Sequence, residues 1–225
     1  MLSSCAGLVT VDSNIIRLVH YTTQEYFQRR GLKSLEDVQK NIIAISCLTY
    51  LSYDVFAKGY LRDLKHRLRK NAFFEYAAQN WAHHIQDTQQ SVGDLALKFL
   101  MDDGKASASS QVLFRYPPRR FCGMHLGAYF GLNDNIMVRL LGEKDPDSTD
   151  SSGRTPLTYA TENGNARLVK LLLNYNVDIN SKCNRGLTPL SRAIEEGSAT
   201  VVQILLAKGV ETDYRYILVR IPYYV

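Results

Sequence analysis

The stretch Gly153-Arg154-Thr155-Pro156-Leu157 recurs as Gly186-Leu187-Thr188-Pro189-Leu190, 33 positions later in the chain. Gly164 and Gly197 recur at the same spacing. The leucine pairs at 172–173 and 205–206 share that period as well. Three separate features with one period indicate an internal structural repeat rather than a chance match.

Each unit of the repeat carries the signals of a turn followed by two short helices. Thr155 in front of Pro156 favours a helix start, because the hydroxyl caps free amides and proline fits the first turn. Gly164 favours the end of that helix, where a left-handed residue is needed. The apolar side chains expected to be buried in the unit are Leu157, Ala160, Val169, Leu172 and Leu173. A weaker copy is predicted one period earlier, where Met124, Gly127 and Gly131 match Leu157, Ala160 and Gly164.

A 33-residue unit of a turn and two helices resembles the ankyrin repeat. The resemblance implies an α-solenoid over 119–216, with a degenerate unit at 119–150 and regular units at 151–183 and 184–216. It also implies that a protein partner binds the concave face, through the turn tips and the first helix of each pair. The predicted partner-binding residues are Ser152, Arg154, Tyr159, Glu162, Asn163, Arg185, Leu187, Arg192, Glu195 and Glu196.

The first half of the chain has a different pattern. Two β-rich runs at 8–11 and 15–20 flank Asp12-Ser13-Asn14 and predict a hairpin. A helix is predicted over Tyr21–Arg30. In the helical segment 33–101 we predict one apolar face with Val38, Ile42, Ile45, Leu48 and Leu51, and another with Phe74, Ala77, Ala78, Trp81 and Ile85.

Two further segments have unusual compositions. Residues 102–118 begin with small and polar side chains and are predicted to form a flexible linker. Residues 217–225 form an apolar, β-prone tail that is atypical after a repeat. The predicted fold class is therefore mainly α, with a hairpin domain at 1–32, a helical segment, a linker, a repeat array and a tail.

Four runs, at 5–9, 16–27, 44–52 and 76–84, resemble the region after the nucleotide-binding domain of fungal NACHT–ankyrin proteins, the NLR-like signalling (STAND) NTPases. The resemblance implies that 1–32 is a partial winged helix whose wing is the hairpin. It implies that the chain corresponds to the C-terminal part of that architecture. Gly104-Lys105 is followed by Ala106, so the Ser or Thr of a P-loop is missing there.

The composition is that of an ordinary globular protein and excludes a disordered, collagen-like or disulfide-scaffold chain. Hydrophobic residues make up 45% and charged residues 22% of the chain, and the net charge is +5. The four cysteines are widely spaced, which favours reduced thiols in a cytoplasmic protein over a zinc site. We expect no catalytic residues, no cofactor, no metal and no membrane span.

The basic run Arg62–Lys70 offers an alternative, nucleic-acid binding together with the winged-helix remnant. Leu61, Leu64 and Leu68 interleave with its charges, which favours an amphipathic helix with a solvated basic face. Nucleic-acid binding is therefore the less favoured interpretation. A truncated gene product without independent function is a third, and the oligomeric state is left open.

Overall fold

The computed structural model describes residues 9–12, 15–18, 35–85, 90–114 and 118–212. Strand β1 (Val9–Asp12) pairs antiparallel with β2 (Ile15–Leu18), in a register that sets Val9 opposite Leu18. A two-stranded hairpin occurs in many folds and does not identify a winged helix. The helix predicted over 21–30 lies outside the described residues, as does the tail 217–225.

The first helical layer consists of α1 (Leu35–Leu51), a 3-10 turn (Asp54–Phe56), α2 (Leu64–Lys70) and α3 (Phe74–Asn80). Helix α1 buries Ala44, Cys47, Leu48 and Leu51. These residues follow the i, i+3, i+4, i+7 spacing of one helix face.

The predicted face of α1 is wrong at Ile45, while Ile42 is half-buried and the side chain of Val38 lies outside the described residues. Ile45, expected in the core, is 43% exposed, because the buried stripe passes through Ala44 and Cys47 instead. The predicted face around α3 is confirmed. Phe74, Ala77, Ala78, Trp81 and Ile85 are all buried.

The prediction of a flexible linker at 102–118 is wrong for most of its length. Helix α4 (Gln90–Met101) is followed almost directly by α5 (Asp103–Leu113), which Asp102 caps by accepting a hydrogen bond from the Lys105 amide at 3.1 Å. The small side chains of α5 allow close packing instead of flexibility. A Cβ added at Gly104 would lie 2.1 Å from the Ala57 carbonyl oxygen. The buried residues of α5 include Ala106, Ala108 and Ser109.

The repeat array contains three helix pairs among the described residues. They are α6 (Gly123–Phe130) with α7 (Asp134–Leu141), α8 (Pro156–Glu162) with α9 (Ala166–Leu173), and α10 (Pro189–Glu195) with α11 (Ala199–Ala207). The first helices of the pairs, α6, α8 and α10, pack against one another in sequence. Thr155 Oγ1 accepts a hydrogen bond from the Thr158 amide, and Thr188 Oγ1 accepts one from Ser191, so the predicted helix starts are confirmed.

The helices before the array cover its first pair. Helix α4 packs against α6 and α7, and α5 packs against α6. The approach is tight, since a Cβ at Gly123 would lie 1.8 Å from the Leu100 carbonyl oxygen. Asp94 also forms an ion pair with Arg139 of α7. One hydrophobic core therefore runs from Ala44 through the array to Val210, and the described N-terminal helices shield the edge that an unstacked first repeat would expose.

Candidate functional site

The turns that precede the three helix pairs form one continuous edge. We call residues 119–120, 151–153 and 184–186 the turn edge. The Ser151 amide donates a hydrogen bond to the Arg119 carbonyl at 2.8 Å, and the Asn184 amide donates one to the Ser152 carbonyl at 2.9 Å. Because each tip is hydrogen-bonded to the next, the three tips hold their exposed side chains in a fixed relative arrangement.

A buried carboxylate shapes the second tip. Asp150 Oδ1 accepts hydrogen bonds from the amides of Ser152 and Arg154 at 2.7 and 3.0 Å. Its other oxygen accepts a bond from the Tyr159 hydroxyl at 2.6 Å. The sequence prediction did not include Asp150. Its signal was an aspartate two positions before a Ser-Gly turn, since such carboxylates often bond the backbone two residues on.

Tyr159 does not belong to the exposed surface, and its prediction as an accessible partner-binding side chain is wrong. It is 1% exposed, and the guanidinium carbon of Arg154 lies 5.7 Å from its ring centre. Burial and the hydrogen bond to Asp150 raise the pKa of the Tyr159 hydroxyl. The residue therefore anchors the second turn to α8.

Four of the predicted site residues pair with one another across two repeats. Glu162 contacts Arg154 at 3.3 Å and Arg192 at 3.1 Å, and Arg192 contacts Glu195 at 3.2 Å. Their side chains are between 11 and 25% exposed. The pKa of Glu162 is raised, because burial, with the nearby Glu196 and Asp150 carboxylates, outweighs the lowering effect of Arg154 and Arg192. This network connects α8 to α10, and its charges are largely matched internally.

The remaining predicted residues differ in accessibility. Arg185, Asn163 and Glu196 are exposed, whereas Ser152 and Leu187 are half-buried. The Asn163 side chain donates a hydrogen bond to the Tyr129 carbonyl at 2.7 Å, so it helps to hold α8 against α6. Of the ten predicted residues, Ser152 and Arg185 lie on the turn edge.

The turn edge and its flank also have exposed charges, of which the sequence prediction named only Arg185 as a partner-binding residue. Arg119 and Arg120 are exposed at the first tip. The Arg119 guanidinium carbon lies 5.5 Å from the ring centre of Tyr60, which holds the arginine beside the helical layer. Arg185 is exposed at the third tip, and Lys182 is exposed just before that tip.

A thiol and an imidazole begin the first repeat helix. Cys122 Sγ lies 2.9 Å from His125 Nδ1, and the Cys122 amide donates to the same nitrogen at 3.2 Å. His125 Nε2 lies 3.1 Å from the Arg154 carbonyl oxygen of the next repeat. This pair takes the place that Thr155 and Thr158 occupy 33 residues later, so it caps α6 and ties the first two repeats together.

Opposing effects set the pKa values of this pair. Burial raises the pKa of Cys122. Its interactions with His125 and Ser148 lower the pKa by more than burial raises it, so the net pKa falls. Burial lowers the pKa of His125. Cys122, Asp150 and the Arg154 carbonyl together raise the pKa by more than burial lowers it. Its net pKa therefore rises.

The basic run 62–70 does not form the continuous exposed face expected for a nucleic-acid contact. Arg67 is 3% exposed, while Leu61 is 37% exposed. The Arg67 guanidinium donates to Gln111 Oε1 at 2.6 Å and to the Gly59 carbonyl at 2.7 Å. The sequence prediction of a solvated Arg67 is wrong, because this arginine connects α2 to α5 in the interior.

Metal sites, disulfides and membrane-spanning helices are the other features to consider in the described part of the chain. No group of three or more potential metal-ligating side chains occurs there. Cys47, Cys122 and Cys183 are free thiols. None of the described helices combines the length and the apolar character that a membrane span requires.

Comparisons with known proteins concern mainly the repeat array. A segment of 65 residues, 28% of this chain, is 42% identical to delta-latroinsectotoxin-Lt1a from Latrodectus tredecimguttatus, and it spans 5% of that toxin. A chain in the solved complex of a predatory endopeptidase from Bdellovibrio bacteriovorus with an immunity protein is 29% identical, with a TM-score of 0.38. That similarity covers 40% of this chain and 47% of the solved chain.

The array itself matches a described family. Residues 124–216 match the sequence family described as ankyrin repeats (3 copies). The match includes most of the degenerate unit, in which Met124 and Gly127 stand where Leu157 and Ala160 stand 33 residues later. The prediction from the 33-residue period is confirmed: residues 124–216 contain three ankyrin repeats.

Proposed function

We propose that residues 119–212 bind a protein partner along the turn edge. Ankyrin repeats are generally protein–protein interaction modules, and they are typically not enzymatic. The observation that carries the proposal is the hydrogen-bonded succession of tips from Arg119 through Ser151 to Asn184. A rigid edge with exposed side chains loses little conformational entropy when a partner binds.

The proposed contact region is smaller than the set of ten partner-binding residues predicted from the sequence. Arg154, Glu162 and Arg192 are engaged in the inter-repeat network, and Tyr159 is buried. Arg185 and Ser152 keep accessible surface on the edge itself. The binding role is therefore assigned to the tips, and the network is assigned to holding successive tips in register.

The test compares two charge reversals of equal size. Arg185→Glu alters the third tip, and Lys170→Glu alters an exposed position in α9, away from the turns. Partners captured by the intact protein should be retained by Lys170→Glu and lost by Arg185→Glu. Equal retention by both variants would contradict a role for the turn edge, provided that both variants unfold cooperatively.

We also propose that the chain represents the C-terminal part of a NACHT–ankyrin signalling architecture. Support comes from the resemblance of the runs at 16–27, 44–52 and 76–84 and from ankyrin repeats in the expected order after them. In that architecture the repeats would bind a regulatory partner, and the preceding segment would connect them to an NTPase domain. Sequencing of full-length transcripts tests this: an upstream P-loop segment in frame supports it, and a transcript without one contradicts it.

A further inference from the structure

One turn position distinguishes the first tip from the other two. Residues 120, 153 and 186 are spaced by 33 and have φ values of 54°, 72° and 75°. Gly153 and Gly186 adopt this left-handed conformation without strain, because glycine has no Cβ. Arg120 adopts it at a conformational cost, since L-residues with side chains rarely occupy that region.

The side chain of Arg120 offers no structural compensation within the described residues. It is exposed, and no acidic side chain of the described ranges forms an ion pair with it. Backbone strain without a compensating contact in the fold is common where a residue serves binding instead of stability. The geometry that the three turns share needs a left-handed residue, but it does not need an arginine.

The segments that form the turn edge and flank it carry only positive and neutral side chains. Segments 118–122, 151–153 and 182–187 contain Arg119, Arg120, Lys182 and Arg185 and contain no acidic residue. Asp150, which directly precedes the second tip, is buried and is occupied by backbone amides and Tyr159. The exposed charge along the edge is therefore basic, although the chain as a whole carries only +5.

We propose that the turn edge binds an acidic, extended segment of a partner protein and that Arg120 is a direct contact in that complex. This inference rests on the proposed function and specifies the chemistry of the partner. Arginine suits the role because its planar guanidinium pairs with carboxylates through two hydrogen bonds. Ser151 and Ser152 add hydroxyl groups between the two basic tips.

An acidic protein segment fits this edge better than a nucleic acid does. Nucleic-acid binding relies on a continuous positive track along the phosphates. Here the basic groups are at the first and third tips, and the second tip is neutral. Separate basic contacts at the ends of a short edge match carboxylates spaced along a peptide.

The decisive variant is Arg120→Gly, because its effects on stability and on binding should have opposite signs. Glycine relieves the backbone strain at this position, so the variant should have an unchanged melting temperature or one raised by about 2–4 °C. The same change should weaken binding of a fluorescein-labelled peptide of alternating Glu and Ser about two- to fivefold at low salt. Arg120→Lys should weaken binding less than Arg120→Gly does, since it keeps the charge but loses the paired hydrogen bonds of the guanidinium.

Two controls make the result specific. Lys170→Ala removes one positive charge from α9, and its affinity for the peptide should equal that of the unaltered protein. A labelled single-stranded oligonucleotide of equal length should bind more weakly than the acidic peptide. Peptide affinity that is undetectable, or unchanged in Arg120→Gly, would overturn the proposal, and so would tighter Arg120-dependent binding of the oligonucleotide. The peptide assay involves no captured partner, so its failure would leave the Arg185→Glu capture test standing.

Discussion

Cys122 and His125 occupy the helix-start positions that Thr155 and Thr158 occupy one repeat later, and Cys122 Sγ lies 2.9 Å from His125 Nδ1. The other regular repeat fills the same positions with Thr188 and Ser191. The same hydrogen-bonding task is therefore met by two hydroxyl pairs and one thiol–imidazole pair. This relationship leads to two predictions.

The first prediction concerns the cap itself. Cys122→Thr should preserve the stability of the protein, because threonine fills this position at the other two helices. Cys122→Ala should lower the free energy of unfolding by about 1 kcal/mol, the usual cost of a lost N-cap. Urea denaturation of both variants measures the difference. Equal stability of the two variants would show that the Cys122 side chain does not cap α6.

The second prediction concerns thiol reactivity. The lowered pKa of Cys122 means that its thiolate forms at lower pH than that of an unperturbed cysteine. Burial raises the pKa of Cys47 to about 12, so that thiol stays protonated in the folded protein. Alkylation by iodoacetamide, followed residue by residue with mass spectrometry, should begin at lower pH for Cys122 than for a cysteine-containing peptide. Cys47 should react only after unfolding; the reverse order of the two residues would contradict the assigned environments.

A third prediction tests the interior role of Arg67. Arg67→Ala should lower the free energy of unfolding by about 2–4 kcal/mol, because Gln111 and the Gly59 carbonyl lose a charged donor in the interior. Arg69→Ala is the matched control, since Arg69 is exposed on the same helix and should change stability by less than about 0.5 kcal/mol. Chemical denaturation distinguishes them, and similar losses would mean that Arg67 does not connect α2 to α5.

A fourth prediction tests whether the helices before the array are built onto it. A Cβ at Gly123 would collide with the Leu100 carbonyl oxygen, whereas one at Gly93 would meet no atom closer than 4.0 Å. Gly123→Ala should therefore destabilise the protein by at least about 2 kcal/mol. Gly93→Ala should stabilise it by about 0.5–1 kcal/mol, because Gly93 lies inside α4.

Thermal unfolding measures both glycine variants against the unaltered protein. Opposite shifts of the melting temperature are expected. If Gly123→Ala melts like the unaltered protein, then α4 and α6 do not approach each other as closely as described.

The repeats were predictable from sequence because their signals are local. The threonine caps, the helix-ending glycines and the apolar stripes all lie within one 33-residue unit, and the same pattern occurs more than once. The buried face around Trp81 was predictable for the same reason, since helical spacing alone identifies it.

The errors arose where a residue's environment depends on distant partners. Arg67 can be buried because Gln111, 44 positions later, accepts its hydrogen bond. Tyr159 can be buried because Asp150 accepts a hydrogen bond from its hydroxyl. Helix α5 looked like a linker because small polar residues are common in both loops and tightly packed helices. Only the opposing backbone at Ala57 shows which of the two applies.

Site-specific photo-crosslinking tests the partner-binding role of the turn edge most directly. A benzophenone amino acid placed at Ser152, on the second tip, would report any protein within contact distance of the edge. The same group at Lys170 in α9 serves as the control. A discrete adduct with a partner from Ser152, and none from Lys170, is the expected result. Adducts of equal yield from both positions, or from Lys170 alone, would contradict partner binding along the turn edge.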